Sequence, residues 1–332
     1  QMDGLSDAWT LRYAAEWYGT GDYVKTAAIL QEAHDRFGSD IFLVPLAEVL
    51  ERLGEADLAM AALDSIKAET ARTHLIRGLL IARNGGSERA LPLFLEAYQQ
   101  GQHSTDLLTA SRAGLEAARC YEKQGDYQTA WETMCAARKL QFQDSVLVRH
   151  FDRDFRTTQA RAFKDIEAYI DHGSDELVPP DDSSPLLVAG HPRSGTTVVS
   201  VALSRELNRV QFDERSAFLQ SLEHAGAEIL PVYRIKKKIL ESVKKDYFRR
   251  LAEVDRDFTD CSPLIDKNPG SELYALRWLR VFPASRVVFV QRHPLDTLIS
   301  CLFTYFPSNP FSLQYSTPER AAESILASQE IQ

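Results

Sequence analysis

Between two apolar runs, at 186–189 and 198–203, lies Gly190-His191-Pro192-Arg193-Ser194-Gly195-Thr196-Thr197. The pattern reads as a strand, a glycine-bounded loop and the start of a helix. Its glycines let the backbone turn tightly, so that successive amides and the positive end of the helix dipole converge on one anion. The spacing G-x-x-x-x-G is that of a phosphate-binding P-loop. Thr196, however, stands where a nucleotide triphosphatase carries the lysine that reaches the outer phosphates, and Arg193 supplies the cation inside the loop instead. The expected ligand is a different phosphorylated donor.

Three further segments carry chemistry. The apolar run Val287-Val288-Phe289-Val290 leads to Arg292 and then to a helical pattern with Ser300 eight residues on. Leu264-Ile265-Asp266-Lys267-Asn268-Pro269 reads as a short strand with a lysine at its carboxyl end, where ligand sites of α/β sheets gather. Asp213-Glu214, with Glu214 21 residues after Arg193, offers a carboxylate able to take a proton from a hydroxyl. The same acids equally suit a helix start, where the dipole favours them, and the sequence leaves both readings open. His191 is a substitute base. For Arg292, an ion pair with Asp296 is the structural alternative.

In this order, the four blocks resemble sulfotransferases that use 3′-phosphoadenosine 5′-phosphosulfate (PAPS), particularly the tyrosylprotein type and bacterial enzymes with tetratricopeptide (TPR) repeats. G-x-P-R-S-G-T-T is similar to the 5′-phosphosulfate loop of that family. The resemblance implies that Arg193, Ser194, Gly195, Thr196 and Thr197 hold the 5′-phosphate, and that Arg292 and Ser300 grip the 3′-phosphate. It implies catalytic roles for Arg193, for Lys267 beside the transferring group, and for Glu214 as base, although Asp213 replaces the family's usual glycine before that acid. PAPS would be the co-substrate and no metal is required. The acceptor, a hydroxyl or an amine, is of unknown class. Two rival readings are an ATP-dependent P-loop kinase, opposed by the missing lysine, and a TPR interaction scaffold with an inactive sulfotransferase-like domain. Against the latter stand four dispersed polar residues that an idle site has no reason to keep: Arg193, Lys267, Arg292 and Ser300.

The elements that must position these residues follow from pattern. Residues from about 5 to 140 read as helix after helix, with Gly21, Gly54, Gly85 and Gly125 at spacings of 33, 31 and 40. Five residues after each comes a small side chain: Thr26, Ala59, Ala90 and Ala130. These intervals bracket the roughly 34-residue TPR period, with a loop near 101–104 expected to account for the long one. A glycine can end one helix in the left-handed conformation while the small residue lets the next pack closely. The expected fold is therefore an all-α TPR-like helical repeat domain (1–143), a connecting helix and polar, proline-rich linker (144–185), and an α/β P-loop-type sulfotransferase domain with a parallel sheet (186–332). Strands are predicted near 186–190, 263–267 and 286–291, and helices near 196–207, 235–257, 271–281 and 294–303. The resemblance covers only the first part of a sulfotransferase domain, so a truncated carboxyl end is expected. The repeats are a candidate surface for a protein or peptide partner, a dimer contact or a brace.

A chain of 332 residues with 44% hydrophobic content has room for two domains, and a net charge of −9 argues against nucleic acid as the main partner. The cluster Lys236-Lys237-Lys238 with Lys244, Lys245, Arg249 and Arg250 is diluted by Glu241, Asp246 and Glu253 and reads as a solvated helix face. Cys120, Cys135, Cys261 and Cys301 have neither metal-ligand spacing nor the density of a disulfide scaffold, which suggests a reduced, cytoplasmic setting. No apolar stretch approaches the roughly 20 residues of a membrane helix, and no signal peptide is seen, although the chain opens on Gln1 rather than methionine.

Overall fold

The computed structural model describes residues 7–143, 145–172, 179, 181, 183–255, 258 and 263–332. Cys261 and most of the expected linker lie outside them. Contacts divide the chain into two compact units, residues 1–143 with 303–305, and residues 144–302 with 306–332.

In the first unit, α-helices follow one another as antiparallel hairpins: α1 (Asp7–Thr20) with α2 (Tyr23–Phe37), α3 (Leu43–Leu53) with α4 (Ala56–Asp64), α5 (Ala71–Arg83) with α6 (Ser87–His103), and α7 (Leu107–Lys123) with α8 (Tyr127–Gln141). The turn within each is made by one of the four spaced glycines. Their φ values of 82°, 81°, 77° and 80° are nearly identical and lie in the left-handed region that glycine enters without a side-chain clash. Asp22 and Asp126 then cap the second helix by accepting from the amides of Lys25 and Thr129 at 3.0 and 3.1 Å. Thr26, Ala59, Ala90 and Ala130 are all buried where the paired helices meet. The long glycine interval has a different cause from the expected loop. Residues 101–103 are helical, and α6 and α7, at 17 residues each, are simply longer than their counterparts.

The second unit opens with α9 (Ser145–His172) and is built on a four-stranded parallel sheet: β1 (Leu186–Ala189), β2 (Val210–Asp213), β3 (Leu264–Lys267) and β4 (Arg286–Phe289), in the order β2-β3-β1-β4. The central strand is apolar on both faces, as a parallel sheet covered on two sides requires. Leu186 and Val188 join Ile265 and Val290 beneath α10 (Thr196–Leu207), whose Val199 and Leu203 pack on them. Leu187 and Ala189 join the larger core of Phe212, Leu264, Phe218, Tyr247 and Trp278 on the opposite face.

That larger core is aromatic. Phe218 on α11 (Ala217–His224), Tyr247 on α12 (Lys237–Val254), and Trp278 on α13 (Ala275–Val281) meet edge to face, with ring centroids 5.0–6.0 Å apart. Arg277 of α13 ties this layer to α9 through a 2.7 Å ion pair with buried Asp165, and donates to the carbonyls of Ala227 and Leu230. The ion pair is fully partnered, because the amide of Val232 donates to the other Asp165 oxygen. Helices α14 (Pro294–Leu302) and α15 (Pro318–Ile331) complete the unit, the latter capped by Thr317, whose side chain accepts from Arg320 N–H, with Pro318 in its first turn.

Strand β2 and helix α11 are additions to the elements read from sequence, and residues 271–274 form a 3-10 turn ahead of α13. Among the described residues, no helix is long and apolar enough to cross a membrane. The hairpin glycines yield a stability test. Gly125→Ala places a Cβ at φ +80° and is expected to cost about 1–2 kcal/mol in urea unfolding, with helical circular dichroism retained. An unchanged midpoint would show that this turn relaxes.

Candidate active site

All four strands run parallel, so the segments leaving their carboxyl ends gather along one edge of the sheet: 190–195 after β1, Glu214 after β2, Asn268 after β3 and Arg292 after β4. The loop after β1 is held tightly. Val290 N–H donates to Ala189 O at 2.9 Å, and Gly270 N–H to Gly190 O at 3.1 Å. A Cβ on Gly190 would fall 2.5 Å from Val290 O, so only glycine passes there. Gly195, at φ +101°, is the N-cap of α10, whose first amides lack carbonyl partners within the helix. Ser194 presents a buried hydroxyl with no hydrogen-bond partner. These amides and this hydroxyl together can receive an anion, which is the chemistry expected of the G-x-x-x-x-G spacing.

Four described non-glycine residues have positive φ, and Arg193 (69°) and Glu214 (51°) are two of them. Left-handed backbone at a side-chain-bearing residue is strained, and such strain collects at working sites. At Arg193 it turns the guanidinium out of the loop, where Nε donates to Ser300 Oγ at 3.0 Å. Arg292 reaches the same place from β4, its Nη1 lying 3.4 Å from Arg193 O. The loop arginine thus sits with Arg292 and Ser300, the pair expected to grip a second phosphate. The alternative ion pair, Arg292 with Asp296, is also present at 3.6 Å, but both groups are about half exposed and the contact is weak.

Asp213 and Glu214 do not start a helix. Asp213 closes β2, in register with Lys267 of β3, and Glu214 N–H extends that ladder by donating to Lys267 O at 2.7 Å. The Lys267 side chain is wholly buried, and its ammonium is salt-bridged to Asp213 and, at 2.9 Å, to Glu214 Oε1. Two carboxylates on one buried ammonium satisfy the rule that a buried charge is paired.

A cavity of about 1070 Å³ opens over this edge. Arg193, Thr196, Thr197, Glu214 and Arg292 line it, as do Arg215, Asn268 and the rings of Phe155, Phe218, Phe306 and Phe311. Lys267 connects to it through Glu214. His191 is not among its lining residues. It is buried with Nδ1 at Pro192 O and Cys301, and its ring meets Tyr315 edge-on at 5.8 Å. Burial pulls its imidazole down to about 4, against hydrogen bonding to Pro192 and Gln314, so that it is neutral near pH 7.

Sequence reasoning missed the pairing of Asp213 with Lys267, the aromatic wall and Asp266. The V-Q-F-D run of β2 is too short for alternation to separate it from a turn. Asp266, in register with Leu187, is buried on the opposite face from Lys267 and accepts a 2.9 Å hydrogen bond from Tyr247 Oη. Burial raises its carboxyl to about 7, against the hydrogen bond and the Lys267 charge.

Residues 185–330 match the sulfotransferase family. The match contains all four strands, the loop after β1, and Glu214, Lys267, Arg292 and Ser300. Similarity also extends across most of the chain to an uncharacterized protein of Aquifex aeolicus (strain VF5), 23% identical over an alignment of 303 positions that covers 83% of this chain. The chain covers 37% of that protein's length. Among the described residues, no group of histidine, cysteine and acidic side chains is arranged to hold a metal ion.

The raised carboxyl of Asp266 sets a pH dependence. The folded state keeps its proton up to about 7, whereas an unfolded aspartate releases it near 3.9, so the folded state binds more protons between those values. This group's contribution to stability therefore falls as pH rises through that window. Asp266→Asn keeps an acceptor for Tyr247 and removes the charge. Its melting temperature should exceed that of the wild type at pH 8, with the gap closing toward pH 4.

Proposed function

We propose that residues 186–332 form the donor-binding part of a PAPS-dependent sulfotransferase, preceded by a TPR-like repeat domain at 1–143 and a connecting segment at 144–185. The observation that carries this reading is the convergence of Arg292 and Ser300, from two other segments, on Arg193 of a P-loop without its lysine. The loop and the first turn of α10 suit one phosphate, while Arg193, Arg292 and Ser300 offer a second, separate anion position. A donor with both a 5′- and a 3′-phosphate fits two such positions, and a nucleoside triphosphate, with its phosphates in one chain, does not.

In this reading Ser194, Gly195, Thr196 and Thr197 hold the 5′-phosphate. Arg193 faces the charge that grows on it, and Lys267 adds its positive charge from behind Glu214. Glu214, which lines the cavity, removes the acceptor's proton. The acceptor oxygen or nitrogen forms a bond to sulfur as the bond from sulfur to the phosphate oxygen breaks. The proton passes to Glu214, and the electron pair leaves with 3′-phosphoadenosine 5′-phosphate (PAP). By analogy with phosphoryl transfer, positioning and electrostatics supply most of the acceleration. The repeat domain offers a surface of the kind that helical solenoids present to peptides or proteins.

The deciding measurement is calorimetric titration without magnesium. PAP should bind much more tightly than AMP, which lacks the 3′-phosphate, and equal affinities would refute the donor assignment. Arg292→Ala removes a charged hydrogen bond worth about 1.5–3 kcal/mol and should weaken PAP roughly 10- to 150-fold while leaving AMP nearly unchanged. The base is tested separately. Glu214→Gln should lower turnover with PAPS by on the order of 10²–10⁴ with PAP affinity near that of the wild type; unaltered turnover would assign the proton transfer to another group.

A further inference from the structure

Lys267 has two carboxylate partners with different surroundings. Asp213 is its register neighbour on the adjacent parallel strand, so their side chains leave the same face of the sheet side by side. Glu214 lies one residue beyond the strand, on a left-handed backbone, and is the more exposed of the two, at 64% against 48%. Glu214 lines the cavity and Asp213 does not. One ammonium is thus shared by a carboxylate fixed in the sheet and a longer, more exposed one that faces the cavity.

From this geometry we infer that Asp213 is a positioning residue, the fixed counter-ion of Lys267, and that its charge is what leaves Glu214 free to act. The inference rests on the reading of Glu214 and Lys267 given above. A wholly buried ammonium left without a partner is strongly disfavoured. If Glu214 were its only partner, every rotation of that carboxylate toward an acceptor would strip Lys267 of its compensation. With Asp213 in place, Glu214 can leave and return while Lys267 stays paired and stays put. The same negative charge also restrains the site's attraction for the anionic donor product, since it offsets one cation beside the phosphate loop.

Two double-mutant cycles in urea unfolding of the full chain test the assignment without any ligand. One combines Asp213→Asn with Lys267→Met, the other Glu214→Gln with Lys267→Met; the substitutions are close in shape to the originals. The Asp213–Lys267 coupling should reach roughly 10-fold or more in the unfolding equilibrium constant, against about 2- to 3-fold for Glu214–Lys267. Equal couplings, or the reverse order, overturn the proposal. PAP titration supplies a readout with a sign that mere loosening of the fold does not produce. Asp213→Asn should bind PAP roughly 2- to 5-fold more tightly than the wild type despite its lower stability, and Asp213→Glu should restore the wild-type value. Unchanged or weaker binding in Asp213→Asn also overturns the proposal. If the wild type binds no PAP, the donor reading of the site falls, and the unfolding cycles still decide the role of Asp213.

Discussion

The site depends on how closely three strand ends can approach at Gly190. The carbonyl of Val290 occupies the space a Cβ would need there, and the amide of Gly270 closes on Gly190 O from the other side. This junction joins the ends of β1, β3 and β4 into one rigid rim. The loop to α10 leaves it on one side, Arg292 lies just beyond Val290 and Lys267 just before Gly270, while Ser300 joins them from further along, on α14. A side chain at 190 would part these segments.

Around that rim the charges are arranged in two groups. Arg193, Arg292 and Ser300 form an open, half-exposed cationic side suited to a ligand that arrives and leaves. Lys267 with Asp213 and Glu214 forms the other, in which the cation is hidden and the acids face outward. The two groups are complementary in charge, since one presents two guanidinium groups and a hydroxyl while the other presents two carboxylates. Strained backbone at Arg193 and Glu214 marks the two places where a side chain has been turned away from the direction its local fold would give it.

The scaffold beneath makes these positions rigid. The aromatic layer of Phe218, Tyr247 and Trp278 fills one face of the sheet, and the Asp165–Arg277 pair fastens α9 across it. In that way Phe155 of α9 comes to line the same cavity as the strand-end residues. In the other unit, a repeated glycine turn and a buried small residue five positions later reproduce one hairpin geometry with little else held constant.

Features whose signal is local were legible from the residues alone. The loop from Gly190 to Thr197 could be read because glycine spacing dictates backbone conformation, and the hairpins because each needs a left-handed residue at its turn. Lys267 and Arg292 were legible as polar residues at the ends of apolar strands, and Lys267 does close β3 while Arg292 follows β4. Which side chains meet is fixed instead by long-range packing. Asp213 and Glu214 suited a helix start as well as a base, and the choice was made by pairing of β2 with β3, a contact across more than 50 residues that no local pattern encodes. The meeting of Arg193 with Ser300 was settled in the same way, by a left-handed turn at one residue and a helix placed 107 residues further along. Spacing fixes backbone shape over a few residues, whereas the partner of a buried charge is set by the register of strands brought together in the folded core.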